Sequence, residues 1–176
     1  MTRRTGIVPL APVALASVLV AAPGLAQDAT DVPGHVTAML HAIDARDWEA
    51  VRAAFADEVF VDYTSLNGGE PGVQLADDLV GGWRAMLPGF DATQHLTGPF
   101  VTSVEDGIAT TVTAVTATHR LGAPDGPVWI VGGHYDLELE AGDGDGLRIT
   151  SMTLRTAYVQ GDTSLPERAR ARASGD

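Results

Sequence analysis

The sequence predicts an α+β domain in which helices near the N-terminus pack on one face of a curved, mostly antiparallel sheet. Two observations support this class. Apolar residues recur at helical spacing in three segments between residues 33 and 87, whereas residues 98–161 are rich in threonine and valine and are divided by the turn signals EDG, APDGP and GDGDG. Helices that precede a run of strands are typical of α+β folds.

Each element has its own local signal. A first helix is expected over residues 33–45, and a second, short one in the segment DARDWEAVRAAFA, where Asp47 stands at the N-cap position. The β-branched and aromatic run EVFVDYTSL predicts a strand over residues 58–64. A third helix is expected over residues 75–87, because the proline and glycine that follow would end it. The remaining segments predict an antiparallel meander of four long strands.

The first 26 residues are predicted to be a secretory signal peptide. Arg3 and Arg4 precede an apolar stretch that ends in small residues, which is the order of regions in such signals. We therefore expect the mature chain to begin near Gln27 and to be secreted or periplasmic. The apolar stretch is too short for a comfortable membrane span and no second stretch of that length follows, so no membrane partner is expected.

The rest of the chain is predicted to form one domain. Residues 30–160 carry the helical and strand signals, and a segment of this length suits a single hydrophobic core. Residues 161–176 are polar and are expected to be a disordered tail.

The composition excludes several kinds of chemistry. The chain contains no cysteine and no lysine, which excludes thiolate catalysis, disulfides and Schiff bases. Serine-nucleophile, phosphate-loop and H-E-x-x-H zinc motifs are missing as well. A net charge of −12 disfavours nucleic acids and anionic membranes as partners. Carboxylates, imidazoles and phenols remain for chemistry, and we expect no cofactor and no metal.

Four such groups lie at predicted turns or strand ends, namely Asp44 in IDARDW, Tyr63 in VDYTSL, His95 in TQHLTG and His119 in TATHRL. Three of them have an ordinary structural explanation when taken singly. Asp44 could end a helix, Tyr63 could be a half-buried strand aromatic, and His119 could be exposed near a hairpin. His95 belongs to no obvious helix or strand face, which makes a structural role harder to assign.

The order and contexts of these residues resemble scytalone dehydratases and the wider SnoaL-like group of cone-shaped proteins, the nuclear transport factor 2-like superfamily. The resemblance covers most of the chain and is carried by D-x-x-D-W, D-Y-x-S and T-Q-H, followed by a strand that ends near a histidine and by a later G-H. It implies a helix-covered, curved sheet that encloses a pocket. It also implies that Asp44 orients His119. His95 matches the second catalytic histidine, and Tyr63 matches a tyrosine that holds a water on a substrate carbonyl.

Two departures from that family pattern are expected to change the polarity of the pocket. Ile43 stands where the dehydratases have a tyrosine, so one of two carbonyl-polarising phenols is missing. His134 and Asp136 stand where the family has a serine and an asparagine on the penultimate strand, and they would line the pocket. Its apolar walls are expected from Trp83, Leu87, Phe90 and Val131.

The resemblance implies a cofactor-independent dehydratase or isomerase that acts next to a carbonyl. His119 would remove the proton, because a carboxylate on its far nitrogen stabilises the imidazolium. Tyr63 would polarise the carbonyl, and His95 would give a proton to the leaving hydroxyl. The expected substrate is a small hydrophobic carbonyl or polyketide-like molecule.

Other interpretations stay open at this point. His95, His119 and His134 are numerous enough for a catalytic zinc site, although their spacing matches no zinc signature. A pocket of this class also serves in some proteins only for ligand binding or dimerisation. The threonine-rich strand TTVTAVTAT would offer a flat outer face to a homodimer. On the first helix, His35 and His41 are expected to be solvated surface residues.

Overall fold

The structure is a computed structural model that describes residues 23–142 and 146–175, with side chains from residue 31 onward. The predicted signal peptide falls mostly outside this range, so it stays a prediction. In chain order the elements are α1 (Pro23–Ala45), α2 (Trp48–Ala53), β1 (Phe55–Asp62), α3 (Thr64–Asn67), β2 (Gly72–Leu75), α4 (Ala76–Arg84), a 3₁₀ turn (Leu87–Gly89), β3 (Ala92–Glu105), β4 (Ile108–Arg120), β5 (Val128–Ala141), β6 (Leu147–Gly161) and α5 (Leu165–Ser174). None of the described helices is long and apolar enough to cross a membrane.

The strands form one sheet in the order β2-β1-β6-β5-β4-β3. β3 to β6 are a continuous antiparallel meander, which confirms the predicted α+β class and its four long strands. β1 runs parallel to β6, and β2 pairs with β1 in the antiparallel direction. The register places Thr93 opposite His119, so these two residues and His95 lie on the same face of the sheet.

The inner face of the sheet carries the hydrophobic core. Alternate residues of β4 are buried from Ala109 to His119, while the residues between them are more exposed. The buried threonines of β4 keep hydrogen-bond partners, as Thr113 Oγ1 does by donating to Gly98 O at 3.1 Å. α1 covers this face with buried residues at helical spacing, namely Val32, Val36, Met39, Leu40 and Ile43.

The three predicted N-terminal helices are present, but α1 begins at Pro23 instead of residue 33 and the third is shorter than predicted. Asp47 caps α2 as expected, because its Oδ1 accepts the N–H of Ala50 at 3.1 Å. The third predicted helix, over residues 75–87, is divided: α4 ends at Arg84, and a separate 3₁₀ turn occupies Leu87–Gly89.

The first strand is displaced from its predicted position by its pairing with β6. It begins at Phe55 rather than at residue 58, because Phe55 already pairs with Ile149 of the long last strand. It ends at Asp62, whose Oδ1 accepts hydrogen bonds from the backbone N–H and the hydroxyl of Thr64, at 3.0 and 2.7 Å. These bonds turn the chain into α3 instead of extending the strand.

The polar C-terminal segment is ordered, so the expected disordered tail over residues 161–176 is wrong. α5 occupies Leu165–Ser174, and it buries Leu165 and Ala169 completely. The helix packs on the backbone of Gly89, where a Cβ atom would lie only 1.8 Å from the carbonyl oxygen of Ala169. Two buried apolar residues and ion pairs of its arginines hold this helix, and two apolar positions among charged residues give too weak a periodic signal to predict it.

His35 on α1 also departs from expectation. It is half-buried rather than solvated, and its Nε2 lies 3.0 Å from the carbonyl oxygen of Ala54, which ties α1 to the segment before β1. His41 is exposed, as expected for a residue on the helix surface.

Candidate active site

A cavity of about 540 Å³ lies between the helices and the inner face of the sheet. Its volume suits a small organic molecule, since ligand pockets commonly measure several hundred cubic ångströms. Apolar side chains dominate its wall. Two imidazoles and two phenols are among the polar groups on this wall, namely His95, His119, Tyr63 and Tyr135.

His95 on β3 is held by the carboxylate of Asp44, which lies in the last turn of α1. Its Nδ1 is 2.8 Å from Asp44 Oδ1, and its backbone N–H donates to Asp44 Oδ2, also at 2.8 Å. Because a carboxylate only accepts, we assign the hydrogen of the neutral imidazole to Nδ1, which leaves Nε2 without one. The two side chains are only 8% and 18% exposed. A carboxylate therefore fixes both the tautomer and the orientation of this imidazole.

The expected pairing of Asp44 with His119 is wrong. α1 packs mainly against β3, so its last turn reaches His95 on that strand. His119 lies on the next strand, where its Nδ1 is 3.3 Å from the carbonyl oxygen of Trp129. The two imidazole centroids are 5.7 Å apart and the rings are nearly perpendicular. They are neighbours in one cavity, but each has a different partner.

Thr93 extends the hydrogen-bond network of Asp44 along β3. Its hydroxyl donates to Asp44 Oδ1 at 2.9 Å and accepts from Arg46 Nη1 at 2.8 Å. Burial alone would raise the pKa of Asp44, but hydrogen bonds from His95 and Thr93 outweigh it and hold that pKa below its usual value. The carboxylate is therefore ionised at neutral pH.

His119 lies in an aromatic environment and is only 4% exposed. Its ring centroid is 5.0 Å from that of Phe90 and 4.6 Å from that of Trp129. Burial, and next the charge of His95, lower the pKa of His119 to about 4. A carbonyl oxygen only accepts, so Nδ1 carries the hydrogen. His119 is therefore a neutral imidazole at pH 7.

Two phenols, Tyr63 after β1 and Tyr135 on β5, also line the cavity. The Tyr63 hydroxyl donates to the sulfur of Met152 at 3.5 Å. Burial raises the pKa of both phenols, and the neighbouring Tyr135 raises that of Tyr63 further. Both groups therefore stay protonated and can donate. Sequence reasoning missed Tyr135 as a site residue, although the alternation along β5 indicates that it faces inward.

Three of the four apolar residues predicted to line the cavity do so. Trp83, Leu87 and Val131 line the cavity. Phe90 is buried behind His119 and packs on its ring instead of forming the wall.

The structure contradicts the expectation that His134 and Asp136 line the pocket. The strand period of two buries Tyr135 and Leu137 on the inner face of β5, which turns the even-numbered residues outward. His134 is exposed there, and Asp136 forms an ion pair with Arg155 of β6.

This arrangement also separates His134 from the other two histidines of the suggested zinc site. His134 lies on the outer face of the sheet, whereas His95 and His119 line the cavity. Among the residues that the structure describes, no three potential ligands form a cluster that could hold a metal ion.

Four polar residues of the cavity wall had no signal in the sequence analysis, namely Asn67, Gln74, Asp78 and Arg170. Asn67, Gln74 and Arg170 come from α3, β2 and α5, none of which was predicted. Asp78 lies on the predicted third helix. It follows another acidic residue, Asp77, and such a pair is typical of a solvent-exposed helix face.

Comparison with known proteins assigns this architecture to a family. The family model described as "SnoaL-like domain" matches residues 26–153. No curated protein matches the chain.

Similar solved structures share the fold over nearly their whole length. The Kfla4162 protein from Kribbella flavida is 27% identical, with a TM-score of 0.72 over 83% of this chain and 99% of that one. A candidate scytalone dehydratase from Novosphingobium aromaticivorans is 20% identical, with a TM-score of 0.63 over 78% and 89% of the two chains. A hexachlorocyclohexane dehydrochlorinase, LinA type 2, is 14% identical, with a TM-score of 0.58 over 78% and 93%.

Proposed function

The chain belongs to the SnoaL-like domain family, and we propose that it is a cofactor-independent enzyme that removes a proton next to the carbonyl of a small hydrophobic molecule. It would act as a dehydratase, which is a lyase, or as an isomerase. The observation that carries this proposal is the His95–Asp44 pair, because a half-buried carboxylate holds an imidazole on the wall of a mostly apolar cavity.

His95 is the proposed base. With its hydrogen on Nδ1 and directed to Asp44, the neutral ring keeps a lone pair on Nε2 for a substrate proton. When Nε2 takes that proton, the ring becomes a cation next to an ionised carboxylate, which stabilises it. A positioned base of this kind contributes about a hundred- to ten-thousandfold to a rate.

Tyr63 and Tyr135 are the proposed donors to the carbonyl oxygen. Negative charge develops on this oxygen as the neighbouring carbon loses its proton, and hydrogen bonds already in place stabilise that charge. The raised pKa values of both phenols favour donation, since the hydroxyls keep their hydrogens at neutral pH. Tyr63 donates to a thioether sulfur in the free protein, which is a weak acceptor that a carbonyl oxygen would replace.

The second proton transfer also falls to His95 in this proposal. His119 has a pKa of about 4 and so carries no extra proton to give at neutral pH. In dehydration, protonated His95 would return the proton to the leaving hydroxyl as the carbon–oxygen bond breaks, and water would leave. In isomerisation, it would return the proton to another carbon. His95 therefore takes both of the proton-transfer roles that the sequence resemblance divided between His119 and His95.

The names of two similar structures support an elimination reaction. A dehydratase removes water and a dehydrochlorinase removes hydrogen chloride. In each elimination one of the two groups removed is a hydrogen bound to carbon. The proposed substrate remains a small hydrophobic carbonyl or polyketide-like molecule, since apolar side chains form most of the wall. Secretion or periplasmic location, inferred from the signal peptide, is part of the same proposal.

Proton abstraction can be measured before the natural substrate is known. A panel of cyclic ketones, phenolic polyketides and ketosteroids would be incubated with the protein in deuterium oxide, and deuterium uptake next to the carbonyl followed by NMR. We expect uptake with at least one compound, and His95→Gln should reduce it by about a hundred- to ten-thousandfold. His41→Gln is the matched control, because His41 is an exposed histidine on α1.

The same panel separates catalysis from ligand binding alone. Compounds that raise the melting temperature saturably without exchanging hydrogen would indicate a binding module of this fold. Exchange that persists in His95→Gln would remove His95 from the proposed mechanism.

We also propose a homodimer formed through the outer face of the sheet. Exposed Leu96, Val101 and Val112 lie on adjacent strands of that face, with Val101 paired to Val112. Such a patch is a candidate protein contact. Light scattering at tens of micromolar should give the dimer mass, and Val101→Glu should give the monomer mass. A monomeric wild-type protein at that concentration would refute the dimer.

A further inference from the structure

Arg46 occupies a backbone position that favours glycine. It follows α1 with φ 63°, in the left-handed region that side chains disfavour. Its N–H bonds to Ile43 O at 3.1 Å, and the N–H of Asp47 bonds to Ala42 O at 2.9 Å, which is the Schellman pattern of helix ends. Strained residues of this kind persist where the surrounding contacts hold them, and they cluster at functional sites.

The side chain of Arg46 connects three elements around the cavity. Its guanidinium donates to Ile43 O at 3.0 Å, to Leu87 O at 2.8 Å and to Thr93 Oγ1 at 2.8 Å. These acceptors belong to α1, to the 3₁₀ turn and to β3, and the side chains of Ile43 and Leu87 line the cavity.

The direction of the hydrogen bonds beyond Arg46 is fixed. A guanidinium only donates, so Thr93 Oγ1 must accept from it. The single hydrogen of the Thr93 hydroxyl is then directed to Asp44 Oδ1, at 2.9 Å. The same oxygen receives Nδ1–H of His95, and the other carboxylate oxygen receives the His95 backbone N–H. The carboxylate cannot rotate without breaking several of these bonds.

We propose that Arg46 is a positioning residue: acting through Thr93, it fixes the Asp44 carboxylate so that His95 keeps its hydrogen on Nδ1 and its lone pair on Nε2. The effect on catalysis rests on the proposed function, whereas the effect on the tautomer of His95 follows from the hydrogen-bond network alone. A merely structural role would instead limit Arg46 to tying the end of α1 to its neighbours.

Four variants distinguish these roles. Arg46→Met removes all the donors and keeps most of the length, while Arg46→Lys keeps the charge and can satisfy fewer acceptors. Thr93→Val removes the connecting hydroxyl without a change in charge or much change in shape, and it leaves the strained backbone position untouched. Thr93→Ser is its matched control, because it keeps the hydroxyl.

The first readout is the tautomer of His95, measured by long-range ¹H–¹⁵N NMR on the labelled protein. For the neutral ring, wild type and Thr93→Ser should show the Nδ1–H form alone. Arg46→Met and Thr93→Val should show a mixture with the Nε2–H form, and Arg46→Lys should lie between.

The second readout is the rate of deuterium exchange with a responsive ketone. We expect Arg46→Met and Thr93→Val to lower kcat by about ten- to hundredfold with little change in KM. Losses of this size are typical when a hydrogen-bond partner that orients a functional side chain is removed. Arg46→Lys should recover part of the rate, and Thr93→Ser most of it.

The outcomes separate this inference from the proposed function. An unchanged tautomer in Arg46→Met and Thr93→Val, with or without a lower melting temperature, would overturn the positioning role. If wild type exchanges no compound but the tautomer responds as expected, positioning stands and the proposed function fails. If Arg46→Met does not fold, Thr93→Val still decides, since it tests the same connection from a regular strand.

Discussion

Two imidazoles face one cavity 5.7 Å apart, yet the walls behind them are opposite in character. The wall behind His95 is ionic, with the Asp44 carboxylate on Nδ1 and a hydroxyl and a guanidinium beyond it. The wall behind His119 is aromatic, and only a backbone carbonyl meets its Nδ1. The first wall places an anion against its histidine, whereas burial in the second lowers the pKa of His119.

This comparison shows that the partner of a histidine, more than its place in a cavity, determines the chemistry available to it. Both rings line the same space and both carry their hydrogen on Nδ1. Only His95 has a negative charge in contact that would stabilise the cation formed by accepting a proton. His119 keeps its neutral form and contributes shape and an acceptor to the cavity.

The largest expected effect comes from replacing each of the two histidines, one at a time, by glutamine. His95→Gln should lower the rate of hydrogen exchange by about a hundred- to ten-thousandfold, because the base is lost. His119→Gln should lower it by no more than about tenfold, because no proton transfer is assigned to His119. Both rates would be measured at pH 7 with one responsive ketone. Equal losses would break the comparison.

The carboxylate is expected to act as one unit with His95. Asp44→Asn should cost about a hundred- to ten-thousandfold in rate, since an amide can donate to Nδ1 and favour the other tautomer. Asp44→Asn with His95→Gln should then cost little more than His95→Gln alone. Asp44→Asn with His119→Gln should instead give multiplied losses. Strong coupling between Asp44 and His119 in a double-mutant cycle would contradict this pairing and support the one that the sequence resemblance implied.

The aromatic wall predicts a stability effect in mild acid. The folded pKa of His119, about 4, lies below its unfolded value of about 6.5, so the unfolded chain binds the proton more readily. The stabilisation from His119 is therefore complete above about pH 6.5 and is lost as the pH falls towards 4, by roughly 3 kcal/mol in total.

Urea unfolding at pH 7 and pH 5 would test this dependence, with His119→Gln as the comparison. Above pH 4.5 carboxylate protonation contributes little, which isolates the histidine contribution. Wild type should lose more stability than His119→Gln over that interval. Equal losses in the two proteins would show that His119 is not responsible.

The smallest expected effect tests the position of Phe90. Phe90→Leu should lower the free energy of unfolding by about 1 kcal/mol, because it removes part of a buried ring that packs on His119. The rate of hydrogen exchange should change less than about threefold, because Phe90 lies behind the cavity wall. Unfolding curves and rates on one preparation would show both. A large loss of rate with normal stability would place Phe90 in the site after all.

The sequence predicted the parts of the fold that depend on repeated local patterns. The apolar spacing of α1 and the alternation of β3 to β6 sum over many residues, so these elements form in the expected order. Their starts differ from the prediction, because α1 begins at Pro23 rather than at residue 33, and β3 begins at Ala92, which places His95 within a strand. α5 and β2 were not predicted, because a few tertiary contacts hold them. One such contact is the close packing of the Ala169 backbone on Gly89.

Within the site, the sequence indicated which residues to consider but not which ones meet. Tyr63, His95 and His119 do line one cavity. Which histidine receives Asp44 depends on where α1 crosses the sheet, and no local pattern encodes that crossing. The strand period could have corrected His134 and Asp136, because Leu137 and Leu139 already fix the inner face of β5.

The thioether of Met152 gives oxidation a route to the site, but only when the core opens. In the reduced protein this buried sulfur is a weak partner for the Tyr63 hydroxyl, which a substrate oxygen can displace. Conversion to the sulfoxide would put a strongly polar oxygen on that sulfur and hold the phenol away from the substrate. Because Met152 is fully buried, such damage would first need the core to open. A bound ligand that favours the closed core would therefore protect the protein against peroxide.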